Sequence, residues 1–301
     1  MATNFPASLD SLTNPTSSDS LNSPSHSAQH ANSNDAIEAL QAKVGVDGSA
    51  VTTSIDYQLN TGYRYHSTVY FTSSGSFAKA SYPWLRAVRV KVQGGGGGGG
   101  GCDYCSTGEC AAASGATGGC YAESFITDIA SLAASVTVTV GSGGAGGTGG
   151  TLAVPNGTDG TDGGDSEFGA GTAYEVSAGG GNGGRFGFDG SVLSGRDGAT
   201  AKRVGTGDLV VGAGAGGDSV NAGASDATAP LAIAGNGGSS FLGGGGRGPR
   251  LRATDASSNG DDGELYGGGG GGGATTANAT AQVGADGGAG ANGIVIVELF
   301  A

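Results

Sequence analysis

Residues 90–105 read VKVQGGGGGGGGCDYC, an alternating apolar run followed by eight consecutive glycines and two cysteines. Glycine loses more conformational entropy on folding than any other residue, so such a run is expected to be a flexible linker. A second run of seven glycines occupies residues 267–273. The two runs raise one question, whether polyglycine here joins folded parts or is itself folded.

Glycine divides the chain near residue 90. The chain has 301 residues and 67 glycines, and only four of these glycines precede residue 94. The part that follows has too few Leu, Ile, Val and Phe for an ordinary apolar core, a composition that usually indicates disorder. The net charge of −13, without any basic stripe, argues against nucleic acid as a partner. No apolar run approaches the length of a membrane helix, so no membrane insertion is expected.

The glycine blocks keep a period of three. Residues 143–151 read GGAGGTGGT, residues 157–165 read GTDGTDGGD, and residues 180–185 read GGNGGR. Helices of the polyproline-II type have three residues per turn, whereas a flexible linker needs no period. Short blocks with almost no proline argue against collagen. The pattern predicts a bundle of polyglycine-II helices whose N–H and C=O groups bond between helices.

Strands are predicted on both sides of the first glycine run. The runs at 50–59, 65–71 and 86–92 are rich in β-branched and aromatic residues, as are SVTVTV at 135–140 and GIVIVELF at 293–300. RVKV, VTVTV and IVIVEL are similar enough to predict one small sheet. Such a sheet would hold both ends of the glycine-rich region at one base.

A short helix is predicted over 35–44. Asp35 can cap it with Glu38 as the capping-box partner, and Gly45 suits its C-terminal end. Ile37, Leu40 and Val44 then form a narrow apolar seam, which a helix this short would bury against other chains or copies of itself.

The residues before this helix are dominated by Ser, Asn, Pro and Thr, and an extended segment is predicted there. Its scattered apolar residues are expected to pin it along a partner's groove. With the seam, the expected attachment and oligomerisation residues are Phe5, Leu9, Leu12, Leu21, Ile37, Leu40 and Val44.

The order of these elements resembles a known family. The chain contains, in this order, the strand RAVRVKV, polyglycine, LAASVTVTVGSGGAGG, glycine blocks broken by polar loops, and GGAGANGIVIVELF. This order is similar to that of the glycine-rich tips of tailed-phage fibres. That resemblance implies a polyglycine-II sandwich whose variable loops contact a host receptor. SHSAQHANSNDAIEALQAKVG at 25–45 is similar to the opening segment of phage fibre and appendage proteins, which bind the virion there and usually trimerise. The resemblance covers about 26–47 and 75–301.

Three parts are therefore predicted: a virion-attachment and oligomerisation segment at 1–47, a β-rich shaft at 48–86, and a polyglycine-II adhesin domain at 87–301, framed by a small β-sheet. The expected function is that of a virion tail fibre, assembled in the host cytoplasm, that adheres to a cell-surface receptor. Its expected partners are other virion proteins, the receptor and further copies in a homotrimer. Alternatives are a capsid fibre, another structural appendage, or a free glycine-rich structural or ice-binding protein.

Three loops carry most of the large side chains of the glycine-rich part, and the family implies that loops at the tip recognise a surface. Aromatic residues and arginines are the usual anchors of such contacts. The receptor-binding candidates are Tyr104, Tyr121, Arg185, Phe186, Phe188, Arg247, Arg250, Arg252 and Tyr266.

Four cysteines lie in one loop that is not part of the family pattern: Cys102, Cys105, Cys110 and Cys120. Their clustering would suit a shared zinc site, and two disulfides would staple the same loop. Reduced thiols are the third alternative. A local staple is favoured over a catalytic or redox role, and no cofactor is required.

Other polar patterns have simpler interpretations. His26 and His30 are four residues apart, but Pro24 and the surrounding Ser and Asn argue against a helix there, so a hydrogen-bonding role is expected. Asp159, Asp162 and Asp165 recur every third residue, at steps of about 9 Å on a polyglycine-II helix, which is too far for all three to bind one calcium ion. A solvated acidic edge is expected, and calcium shared with a neighbouring helix is the alternative. No catalytic motif is present, and all three histidines precede residue 67, so catalysis is not expected.

Overall fold

The protein is β-rich, with few helices and several open antiparallel sheets. The computed structural model describes residues 16, 18, 20, 22, 25–190, 192–201, 204–223, 230–252 and 256–301. The chain divides into two compact units, Met1–Arg64 and Tyr65–Ala301. Four of the predicted attachment residues, Phe5, Leu9, Leu12 and Leu21, lie outside the described residues.

The first helix of the smaller unit, α1, spans His26–Val44 and is longer than predicted. Asp35 lies inside it, so the predicted cap at that residue is wrong. Alanines dispersed among the Ser and Asn residues offset their modest helix penalties, which lets the helix start directly after Ser25. Gly45 ends the helix as predicted, with φ +88° and its N–H donating to the Gln41 carbonyl at 2.8 Å.

The second helix, α2, spans Ile55–Thr61, so the strand predicted over 50–59 is wrong. Ser54 caps it, because its hydroxyl accepts from the N–H of Tyr57 at 3.2 Å. Asn60 donates to Asp56 one turn earlier at 2.9 Å. These local bonds outweigh the β preference of the preceding Val and Thr residues.

The described strands of the larger unit are, in chain order, β1 Tyr65–Phe71, β2 Gly75–Ala78, β3 Ala87–Gln93, β4 Glu109–Ala112, β5 Tyr121–Ile126, β6 Ser135–Thr139, β7 Ser166–Phe168, β8 Val176–Ala178, β9 Ser194–Arg196, β10 Gly205–Thr206, β11 Leu209–Val211, β12 Ser219–Ala222, β13 Leu231–Ile233, β14 Arg250–Leu251, β15 Ser257–Ser258, β16 Ala274–Ala277 and β17 Ile294–Phe300. A 3-10 helix, Lys79–Ser81, follows β2.

Two five-stranded sheets share one apolar core, and we call this part the sheet end. Their strand orders are β1-β17-β3-β5-β11 and β10-β8-β7-β6-β2. β3 and β17 pair as predicted, with Val90 opposite Val297, whereas β6 lies in the other sheet. Val136 and Val138 of β6 therefore belong to the core shared by both sheets and do not extend the β3–β17 sheet. The prediction of one sheet for all three strands is therefore wrong. Each strand alternates and buries one face, so the sheet of β3 and β17 needs an opposing layer to cover that face, and β6 belongs to this layer.

The first glycine run, 94–101, is folded and fully buried, and we call it the central run. Its N–H groups donate in rotation to three neighbouring segments, so every third residue bonds to the same segment. Gly95, Gly98 and Gly101 donate to carbonyls in 158–164, Gly96 and Gly99 to carbonyls in 288–291, and Gly97 and Gly100 to carbonyls in 114–117, at 2.9 to 3.1 Å. This run is therefore a folded part of the larger unit and not a flexible linker, as the period of three in the glycine blocks predicted.

The carbonyls of the central run bond to three further segments. Gly95, Gly98 and Gly101 accept from N–H groups in 181–187, Gly96 and Gly99 from 144–147, and Gly97 and Gly100 from 270–273, at 2.8 to 3.0 Å. These three segments run parallel to the central run, whereas the three that accept its N–H groups run antiparallel. Every N–H and C=O group of 95–101 is thus satisfied by another part of the chain.

The segments join the sheet end to a second end, which we call the loop end. The central run leaves β3 at Gln93 and reaches Cys102, and residues 114–120 return to β5. Between them lies β4, which belongs to a three-stranded sheet of order β15-β16-β4 beside a four-stranded sheet of order β14-β13-β12-β9. The turns at 151–156 and 278–283 and residues 188–190 also lie at the loop end, because each follows a segment parallel to the central run.

Glycine is needed in the central run for close approach and not for an unusual backbone conformation. None of the eight residues has a positive φ. A Cβ built on Gly97 would overlap the carbonyl group of Asn182, and one on Gly98 would overlap that of Ala145. The neighbouring main chains therefore occupy the space of a side chain on every face of this run.

Segments at the edge need fewer glycines. Across 141–150 burial repeats every third residue, and Ser142, Ala145 and Thr148 are exposed. In 157–162 the glycine of each GTD triplet lies too close to the central run for a side chain, since a Cβ built on Gly160 would overlap the Gly98 carbonyl. The number of glycines per triplet therefore follows the number of faces that another segment covers.

Candidate functional site

Asp103 ties together several loops at the loop end. Its N–H donates to the Gly187 carbonyl at 2.9 Å, and its Oδ1 accepts from the N–H of Gly157 at 2.7 Å. Its Oδ2 accepts from the N–H of Asp189 at 3.2 Å. Burial raises the pKa of the Asp103 carboxyl, although these backbone donors act in the opposite direction. Asp103 therefore bonds to two of the loops that follow the glycine segments, through its carboxylate and its peptide N–H.

An arginine and two phenylalanines form a surface cluster beside Asp103. The Cζ of Arg196 lies 3.4 Å from the ring centroid of Phe188 and 4.9 Å from that of Phe186. Its Nε donates to the Phe186 carbonyl at 3.1 Å, and burial lowers the pKa of the guanidinium. Phe188 remains 44% exposed. We call Phe186, Phe188 and Arg196 the arginine–aromatic cluster.

The structure brings two predicted candidates together in this cluster and adds a residue that the sequence reasoning missed. Arg196 is ten residues beyond Phe186 in a loop with several arginines, and no spacing in the sequence distinguishes it. The side chain of Arg185 is exposed nearby in the chain, while its N–H donates to the Ser114 hydroxyl at 2.8 Å. Tyr104 is half-buried, and its N–H donates to the Pro155 carbonyl at 2.8 Å.

A small polar groove at the loop end contains two other predicted candidates. Its volume is about 250 Å³, and it is lined by Arg247, Pro249, Arg250, Leu251, Ser258, Asn259 and Asp261. Arg247 and Arg250 are both exposed, as is Arg252. The groove therefore presents two guanidinium groups and several hydrogen-bonding side chains to solvent.

Two predicted candidates lie at the sheet end instead. Tyr121 is in β5 and is 3% exposed, with its ring stacked on Phe241 at 4.3 Å and its hydroxyl donating to Glu123 at 2.7 Å. A surface role for Tyr121 is therefore wrong, because its side chain is covered. Tyr266 precedes Gly267, whose carbonyl accepts from Gly119 next to β5. This turn lies away from the arginine–aromatic cluster.

Apolar side chains are exposed in the turns of the loop end. Leu152 and Leu193 are 76% and 74% exposed, and Val154, Val192 and Val283 are also largely exposed. No pattern in the sequence indicates these residues, since isolated apolar residues in loops have no periodic spacing. The turn at 151–156 leads directly to Gly157, and residues 192–193 follow Asp189, and both Gly157 and Asp189 bond to Asp103. The apolar side chains of these residues therefore share one end of the larger unit with the arginine–aromatic cluster.

The structure does not bring the four cysteines to one centre. All four are buried with reduced thiols, and they belong to three separate apolar clusters. The Cys102 thiol donates to the Gly273 carbonyl at 2.9 Å and that of Cys110 to the Leu231 carbonyl at 3.5 Å. The described residues contain no group of three or more His, Cys, Asp and Glu side chains placed for one metal ion.

The surroundings of these cysteines disfavour thiolate chemistry. Burial raises the pKa of the Cys102, Cys105 and Cys110 thiols, with nearby negative charges adding to the effect. A thiolate is the form that attacks an electrophile or binds a metal. These thiols therefore serve as small apolar fillers beside alanines in the loop-end clusters.

The attachment seam is exposed within the smaller unit. Ile37, Leu40 and Val44 on α1 are 54%, 53% and 45% exposed. Among the described residues, no helix combines the length and apolar character needed to cross a membrane.

The fold and this site define a glycine-rich β protein whose closely packed main-chain segments carry side chains on loops at one end. A family model described as a glycine-rich domain matches residues 72–300, and the chain belongs to that family. No curated protein matches the sequence.

Proposed function

We propose that the glycine segments form a polyglycine-II bundle. The support is the period of three in the bonds of the central run and in the burial of 141–150. A β-ladder repeats every second residue, and an α-helix bonds within itself, so neither accounts for this period. The bundle would need an apolar core only where its ends meet the sheets.

We propose further that this chain is a fibre protein of a bacteriophage virion, in which the loop end binds a receptor on the host cell. The observation that carries the proposal is the separation of two ends by closely packed, hydrogen-bonded glycine segments. The chain enters the larger unit at β1 in the sheet end. The loop end carries the arginine–aromatic cluster, the small polar groove with Arg247 and Arg250, and exposed Leu and Val side chains. Exposed apolar and aromatic residues among polar ones are typical of interaction surfaces.

The smaller unit would attach the fibre to other virion proteins and join copies of the chain in a homotrimer. The support for this is the exposed seam of Ile37, Leu40 and Val44, which a parallel copy of α1 could cover. The protein would act on the surface of the particle after assembly in the host cytoplasm. Several weak contacts from the copies of one fibre would then add to strong adhesion.

Adsorption competition tests the receptor-binding part. Purified protein should coat receptive cells and slow adsorption of the virus, and the double variant Phe188→Ala/Leu193→Ala should compete at least about tenfold less well, as expected for two anchor residues. The matched control is Tyr70→Ala, which removes an aromatic side chain that is 64% exposed in β1 at the sheet end. Equal competition by all three proteins would refute binding through the loop end.

Labelled antibodies against the chain, applied to virus particles, test its place. Label at the tail tip supports the tail-fibre proposal, whereas label distributed over the head would replace it with the capsid fibre. Particles that carry no label would refute a virion protein of either kind.

A further inference from the structure

The seam of α1 continues towards its N-terminus through two histidines. Six positions are spaced alternately by four and three residues: His26, His30, Ser33, Ile37, Leu40 and Val44. This is the spacing of the core positions of a coiled coil. The half with Ile37, Leu40 and Val44 is apolar, and the half with the histidines is polar. The surrounding Ser and Asn residues argued against a helix at 26–30, and α1 shows that this prediction is wrong. The histidines were therefore not expected to lie on the same helix face as Ile37, Leu40 and Val44.

The two histidines already face each other within one chain. Their Nε2 atoms lie 3.1 Å apart, with ring centroids at 4.4 Å, and both side chains are exposed. Imidazole nitrogens bind zinc at about 2.0 to 2.1 Å, so two of them on one ion are separated by about 3 Å or slightly more. One turn of helix therefore holds both nitrogens at the separation that a shared ion requires.

We propose that His26 and His30 bind a divalent transition-metal ion such as Zn²⁺ or Ni²⁺, which parallel copies of α1 share. The sharing rests on the self-association proposed above. A single chain supplies two ligands, and histidines at core positions of a coiled coil meet their counterparts from other copies at its axis. Neutral imidazole suits these ions, and further imidazoles would complete their coordination.

The composition of the seam explains why an ion would matter. Three apolar residues are few for a stable coiled coil, and a short helix gains little stability alone. Histidines and a serine in core positions weaken the seam further, because they contribute little apolar surface to it. A shared ion would replace the hydrogen bond between the two imidazoles of one chain by bonds that join several chains, and it would add its binding energy to the association.

The first experiment measures metal binding by the full-length chain, purified without a histidine tag, through calorimetric titration with NiCl₂ and ZnCl₂. His26→Gln and His30→Gln should each weaken binding at least about tenfold, because one ligand remains per chain. His66→Gln is the matched control, since the chain has three histidines and this one lies on β1 with its ring stacked on Trp84 at 3.8 Å. Gln keeps helix propensity, and circular dichroism checks that α1 is retained. Absent binding, or equal binding by all variants, would overturn the proposal.

The second experiment separates the metal site from the proposed trimer. Sedimentation of the wild-type chain with EDTA and with NiCl₂ should show tighter association with the ion, and fewer ions than chains should be bound. Leu40→Asp should reduce both association and metal affinity. One ion bound per chain would overturn the sharing, and a chain that also sediments as a monomer with NiCl₂ would overturn the trimer as well. Association unaffected by EDTA, NiCl₂ and the histidine variants would overturn the metal proposal while leaving the trimer in place.

Discussion

At Gly99 the carbonyl oxygen of Gly271 stands where a Cβ would be. The same holds along the central run, with a different neighbouring segment at each successive residue. The φ angles of these glycines are ordinary, so the requirement is one of space. A composition usually associated with flexibility thus produces a fully enclosed main chain.

We predict that Gly99→Ala lowers the free energy of unfolding by about 3 kcal/mol or more, at the upper end of overpacking effects. The methyl group would meet a main-chain carbonyl, which cannot turn away as a side chain can. Gly190→Ala is the control, because its nearest heavy atom lies 3.8 Å from the built Cβ. Urea denaturation measures both variants, and equal stability would contradict the packing of the central run.

At the scale of elements, side chains complete the bonding of the edge segments. Asp159, Asp162 and Asp165 accept from the N–H groups of Phe186, Gly183 and Gly180 at 2.7 to 2.8 Å. The sequence indicated an acidic edge, but not that each carboxylate bonds to the next segment. The threonine hydroxyls of the same triplets accept from N–H groups in 141–150 at 2.7 to 2.8 Å. The side chains of each GTD triplet therefore bond to two different neighbouring segments, while its glycine packs against the central run.

We predict that replacing the three aspartates by alanine destabilises the protein more than replacing them by asparagine. Both triple variants remove three negative charges, and only asparagine keeps an oxygen acceptor at the same position. The difference in the free energy of unfolding should be roughly 0.5 kcal/mol or more per lost bond. Urea denaturation of the two variants tests it, and indistinguishable midpoints would show that these bonds contribute nothing.

The sequence predicted those elements whose signal is a period. Strands β1, β3, β6 and β17 and the register of the glycine blocks follow from alternation and from triplets. Helix α2 was missed because its Ser54 cap and local hydrogen bonds outweigh the β preference of the preceding Val and Thr residues. The start of α1 was missed because its alanines offset the low helix propensity of the neighbouring Ser and Asn residues. The site was predicted in part, since Phe186 and Phe188 could be chosen by residue type, whereas Arg196, Asp103 and the burial of Tyr121 depend on which segments become neighbours.

At the scale of the whole molecule, apolar packing is concentrated at the sheet end, and main-chain hydrogen bonds hold the rest of the larger unit. The main core consists of residues from the two five-stranded sheets, and the loop-end clusters contain mostly alanine and cysteine. Unfolding would therefore expose much peptide surface and little apolar surface.

We predict a heat-capacity change of unfolding clearly below the usual value of about 12 to 15 cal/mol/K per residue. Apolar exposure raises this quantity and polar exposure lowers it, so a body of hydrogen-bonded glycine segments should give a small change. Differential scanning calorimetry measures it. A value within the usual range would mean that more apolar surface is buried than the structure shows.

The direction of the bonds around the central run has a mechanical consequence. They lie across its length, so a pull between the sheet end and the loop end strains all of them in shear at once. Bonds loaded together share the force, whereas bonds opened one after another at an edge do not. The central run should therefore resist tension along its length. A pull applied at the loops would be carried to the sheets by many main-chain hydrogen bonds and would not depend on any single side chain.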